Sequence, residues 1–173
     1  MLHAARGRRK FLALAALVSS TLVAGARAQT PAPSDRTLTI GGDVPKPLTL
    51  SATDFRQLPR VTVIRREQAG ETKYEGVLVA ELLKRAGVTL GQGMGRQTVA
   101  AYLLASAKDG YQAIFAMGEV DPVFTDSELM IADTMNGAPL PDGQGPFRIV
   151  APHDKGGARS VRALQRLDLR VQK

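Results

Sequence analysis

The chain has 173 residues, two histidines, no cysteine and a formal charge of +7. Five of its 23 basic residues and none of its 16 acidic ones precede residue 29, which leaves 18 against 16, or +2, for the remainder. The basic excess therefore belongs to the N-terminus and excludes the concentrated cationic footprint that nucleic-acid binding needs, while the missing cysteines exclude disulfide staples and thiolate chemistry.

Residues 1–28 have the form of an export signal: Arg6, Arg8, Arg9 and Lys10, then a short apolar run from Phe11 to Val23, then Ala26-Arg27-Ala28 as a small-residue cleavage site. Arg8-Arg9-Lys10-Phe11-Leu12 fits a twin-arginine address, with an ordinary secretory signal as the alternative. Cleavage near Ala28 predicts a periplasmic or secreted protein without stable membrane insertion, since the apolar run is too short for a span and none follows it. Gln29 to Asp35 reads as a disordered lead-in, and residues 36–173 as one domain with a core large enough to fold without staples.

Along that domain, Thr37–Ile40 alternates as a strand and Leu48–Leu50 forms a second. Ser51 is placed to cap a brief helix that ends before Pro59. Arg60–Arg65 is β-branched and strand-like, and Ala69-Gly70-Glu71 turns the chain. Val77–Ala86 is the clearest helix, with Leu78, Leu82 and Leu83 on one face, Lys84 and Arg85 in the last turn, and Gly87 as its stop. A flexible glycine-rich connector, Gly91–Arg96, precedes expected strands at Val99–Ser106, Tyr111–Ala116, Leu129–Ala132 and Phe147–Val150. The spacing predicts a helix over Ala158–Leu167 and a closing strand over Asp168–Val171. Short strands mixed with isolated helices, without βαβ alternation, give an α+β fold class.

The ordered pieces Tyr74-Glu75-Gly76-Val77, Leu82-Leu83 with Ala86-Gly87, Asp109-Gly110-Tyr111, Gly137-Ala138-Pro139-Leu140 and Gly145-Pro146-Phe147-Arg148-Ile149-Val150 together resemble the molybdopterin-binding domain of the sulfite-oxidase type. The resemblance runs from about Leu38 to Val171. It implies that family's mixed-sheet fold and, by analogy of position, a pocket near Arg65, Tyr74, Tyr111 and Arg148 at strand ends. Redox-active members hold molybdenum through a cysteine thiolate on a loop. This chain has no such residue, and the corresponding stretch between Ile64 and Tyr74 is shortened. No catalytic and no metal-ligating residue is expected, and no cofactor follows from the residues themselves; the resemblance alone leaves room for molybdopterin.

Other groups admit plainer readings. Asp109-Gly110 is a turn. Glu119, Asp121, Asp126, Glu128 and Asp133 lack calcium-loop spacing and read as a solvated acidic edge. Arg159, Arg162 and Arg166 at helical spacing read as a solvated basic stripe, with Arg170 beyond it. His153 reads as a surface loop residue. The function expected is non-catalytic binding of a small anionic ligand or a periplasmic protein partner. The alternatives are a molybdopterin-dependent oxidoreductase with an atypical ligand set and an accessory subunit of a redox enzyme.

Overall fold

The computed structural model describes residues 36–67, 70–126 and 128–172. The expected signal at 1–28 and lead-in at 29–35 lie outside the described residues. One sheet contains β1 (Thr37–Gly42), β2 (Leu48–Ser51), β5 (Tyr102–Ala107), β6 (Gln112–Ala116) and β10 (Leu164–Arg170), in the order β2-β1-β10-β5-β6. β1 and β10 pair parallel, and the other pairs in this sheet are antiparallel. The second sheet contains β3 (Val61–Glu67), β4 (Gly70–Leu78), β7 (Met130–Met135), β8 (Ala138–Pro139) and β9 (Arg148–Val150). Here β3, β4 and β7 run side by side, and β8 and β9 both pair with β7. Three short helices, α1 (Ala52–Arg56), α2 (Val79–Arg85) and α3 (Arg96–Val99), stand apart from one another in sequence. The class is α+β, as the sequence predicts. Among the described residues no helix is long and apolar enough to cross a membrane.

Local chemistry sets several of these boundaries. Ser51 caps α1 in a reciprocal capping box: its hydroxyl accepts from Asp54 N at 3.1 Å, and the Asp54 carboxylate accepts from Ser51 N. α2 falls within the expected Val77–Ala86 helix, but Val77 and Leu78 remain in β4 because they continue its pairing with β7. Gly76 sits at a register shift between those two strands, where a Cβ would lie 2.6 Å from Ala132 Cα. Only glycine allows that close approach of backbones.

Three expectations are corrected. The strand expected from Val99 starts at Tyr102, because Arg96–Val99 closes a helical turn first. The connector is ordered as a 3-10 turn at Gly91–Gly93, whose Gly91 N donates to the buried carboxylate of Asp121. No helix forms over Ala158–Leu167; the chain runs as a loop into β10, which begins at Leu164.

The main core joins the inner faces of both sheets to α1 and α2: Leu38, Ile40, Leu103, Phe115 and Leu167 meet Val77, Ile131, Ile149, Leu82 and Leu83. Phe55 and Phe147 meet edge-on at 5.0 Å. Each fully buried side chain of this size stabilises the fold by about 1.5–3 kcal/mol. The second sheet is buried on its other face as well, by a smaller cluster of Val63, Tyr74, Met130, Ala132 and Val150. With period-two alternation, that face also receives Arg65, two residues after Val63, and Arg148, two residues before Val150. The functional question centres on this outer face.

Candidate functional site: a cationic cleft on the second sheet

A cleft of about 510 Å³ opens over the outer face of the second sheet. Its floor is Arg65 from β3, Thr72 and Tyr74 from β4, Met135 from β7 and Arg148 from β9. Its rim adds Arg66, Asn136, Gln144, Lys155, Gly156, Gly157 and Arg162. Five side chains in that lining are cationic, and among the described residues none is acidic.

The deep end is fixed by hydrogen bonds to neutral oxygens. Arg148 Nη1 donates to Tyr74 Oη at 2.9 Å and to the side-chain oxygen of Gln144, and its guanidinium lies 5.1 Å from the centre of the Tyr74 ring. Arg65, 4% exposed, donates through Nη1 to Ser160 Oγ at 3.0 Å and through Nη2 to Gly156 O at 2.7 Å. These four acceptors are neutral oxygens, and they fix where both guanidiniums point. At the rim, Asn136 turns β7 into β8 with a left-handed φ of 51° and accepts from Lys73 N at 3.0 Å.

The cleft brings Arg65, Tyr74 and Arg148 together. Arg65 and Tyr74 lie inside β3 and β4 rather than at strand ends, because those strands pair over their whole length from Val61↔Gly76 to Glu67↔Gly70. Tyr111 is not part of the cleft. It is half exposed, donates from Oη to Ala158 O at 2.6 Å, and borders a separate hollow with Asp109, Gly157, Ala158, Ser160 and Arg162. Asp109 acts as a turn residue, its carboxylate accepting from Tyr111 N at 2.9 Å.

Sequence reasoning missed Arg66, Lys155, Gln144 and Asn136 as cleft residues. The Asn136-Gly137 dipeptide was a readable signal, since it marks a tight hairpin turn. Arg162 was visible only as a member of a helical stripe that does not form. Arg159, from that same stripe, sits in the loop and is gripped by two carboxylates: Asp154 at 2.9 and 2.6 Å, and Glu119 at 2.6 Å. Those bonds, Asp154 first, hold its guanidinium above the ordinary arginine value. Arg166 lies on β10, where hydrogen bonding to Asp168 likewise raises it. The acidic edge is not uniformly solvated either. Asp121 is fully buried, and Asp133 is buried against Arg60 at 2.6 Å and Arg56 at 3.5 Å.

The sequence profile of the oxidoreductase molybdopterin-binding domain matches residues 26–173. The chain belongs to this family. No curated protein matches it. Among solved structures it is similar to the sulfane dehydrogenase SoxCD of Paracoccus pantotrophus, with 24% identity and a TM-score of 0.62 over 80% of this chain. The match spans 40% of the SoxCD chain. It shows a shared fold.

The residues do not fit the molybdenum part of the family's cofactor. The chain has no cysteine to act as a soft ligand, and among the described residues no group of three His, Asp or Glu side chains is placed to hold a metal. The β3–β4 connection, where the family's ligand-bearing loop would lie, is reduced to residues 68 and 69. An anionic group does fit, because the cleft presents oriented guanidiniums without a competing carboxylate among the described lining residues.

Proposed function

We propose that this family member is an exported, non-catalytic binding protein whose cationic cleft takes a small phosphate-like anion outside the cytoplasm. One observation carries the reading: Arg65, Arg66, Arg148, Lys155 and Arg162 surround a single cleft with no acidic side chain among its described lining residues. Planar guanidiniums match phosphate oxygens well, and the hydrogen bonds of Arg65 and Arg148 hold two of them in fixed positions in the cleft. The export signal expected at residues 1–28 supports the location, and the absence of cysteine supports a role without thiolate-held molybdenum.

Calorimetric titration of the natively exported protein with inorganic phosphate tests the reading. Saturable binding that weakens as salt rises is the expected result, with a gain in stability of about 2.7 kcal/mol at a hundredfold excess over Kd. Absence of saturable binding would sink it. Metal analysis of the same material tests the non-catalytic half, because stoichiometric molybdenum would restore the oxidoreductase alternative.

A further inference from the structure

The loop from Pro152 to Ala163 delivers Lys155 and Arg162 to the cationic cleft. Part of its own bonding is local: Ser160 N donates to Gly157 O at 3.0 Å and Val161 N to Arg159 O at 2.9 Å. Two of its other carbonyls accept from side chains of distant elements. Gly156 O accepts from Arg65 Nη2 at 2.7 Å, and Ala158 O accepts from Tyr111 Oη at 2.6 Å. Arg65 belongs to the second sheet, whereas Tyr111 precedes β6 of the first. The two side chains therefore hold the loop from different elements, Arg65 within the cleft and Tyr111 in the neighbouring hollow, with Gly157 and Arg162 common to both.

We infer that Tyr111 is a positioning residue for the anion site, clamping with Arg65 the loop that carries Lys155 and Arg162. The inference rests on the cationic cleft being an anion site. Its physical basis is preorganisation. Gly156 and Gly157 have the greatest backbone freedom in the loop, and Gly156 has nothing within 4 Å of where a Cβ would stand. A loop pivoting on that pair spreads its two cations over many positions unless its carbonyls are fixed from outside, and ordering it at the moment of binding weakens affinity. Tyr111 is itself held: its turn is closed by the Asp109 carboxylate at 2.9 Å, and its neighbour Gln112 begins the β6 pairing with β5.

Tyr111→Phe in the full chain removes one hydroxyl from a half-exposed ring. Phosphate affinity should fall about threefold to tenfold, the range expected for one lost hydrogen bond. On an Arg162→Gln background the same change should cost less than about twofold, because one of the side chains it orients is gone. Amide exchange of Gly156–Ser160 should quicken in Tyr111→Phe, while that of the β5–β6 pair should not. That second readout does not depend on ligand. Unchanged phosphate affinity in Tyr111→Phe, with wild type binding normally, would overturn the clamp and leave the anion site standing. Equal losses on both backgrounds, or loop exchange that does not change, would also overturn it. If wild type binds no phosphate, the anion-site reading fails and takes the clamp with it.

Discussion

Two arginine-bearing regions meet in the Pro152–Ala163 loop, and they differ in what accepts from the guanidinium. Arg159 donates to the carboxylates of Asp154 and Glu119 and lies over the Phe115 ring. Arg65 and Arg148 donate to a serine hydroxyl, a backbone carbonyl, a tyrosine hydroxyl and an amide oxygen. The first region is electrically matched within the fold, so its arginine fastens the loop. The second has neutral oxygens among its acceptors and shares its cleft with Arg66, Lys155 and Arg162, so cations gather there around one opening. Counting arginines along the chain does not separate these cases; their place in the fold does.

The sharpest way to break the contrast is Arg148→Ala. It removes the donor to Tyr74 Oη, the contact with that ring and a buried cation of the cleft at once. Phosphate affinity should drop at least about tenfold, and denaturant unfolding should show a loss of about 1–3 kcal/mol, because polar groups are left buried beside the gap. Loss of stability with full retention of binding would move the anion away from the floor of the cleft. Arg162→Gln separates the two effects. Its side chain is exposed at the rim, so stability should stay within about 0.5 kcal/mol while affinity falls about threefold to tenfold. A large stability change there would mean that Arg162 acts as Arg159 does.

Much of the scaffold was legible because period-two burial and helix-stop chemistry are local. Ser51, Gly87 and the alternation through Leu103, Ala105 and Ala107 announce their elements directly. The last segment was misread for a physical reason. β10 carries a register shift between Leu164 and Arg166, so buried Leu164 and Leu167 stand three apart and mimic a helical face. That one bulge gave the start of β10 an apparent helical face, while Arg159 and Arg162 precede the strand in the loop. In the site, Arg65, Tyr74 and Arg148 could be grouped by family resemblance. Lys155 could not, because it reaches the cleft on a loop bonded to Arg65 and Tyr111, both far away in sequence. Asp121 and Asp133 were misjudged likewise: their burial depends on Gly91, Arg60 and Arg56, which lie far away in sequence.

The smallest effect is expected on the matched side of the loop. Asp154→Asn leaves the Arg159 bond to Glu119 in place, and the pair it breaks is partly open to solvent, with Arg159 37% and Asp154 19% exposed. Stability should fall by about 0.2–1 kcal/mol and by less in high salt. Because Arg159 is held above the ordinary arginine value, its contribution is complete below that value and is lost only as pH climbs past the raised one. The gap between wild type and Asp154→Asn should therefore stay flat from about pH 7 to about pH 10. Phosphate affinity should be unchanged or slightly stronger, since one negative charge near the cleft has gone. A clear fall in affinity would mean that Asp154, through Arg159, also sets where Lys155 and Arg162 stand. The matched cluster would then be part of the anion site's support rather than a separate fastening.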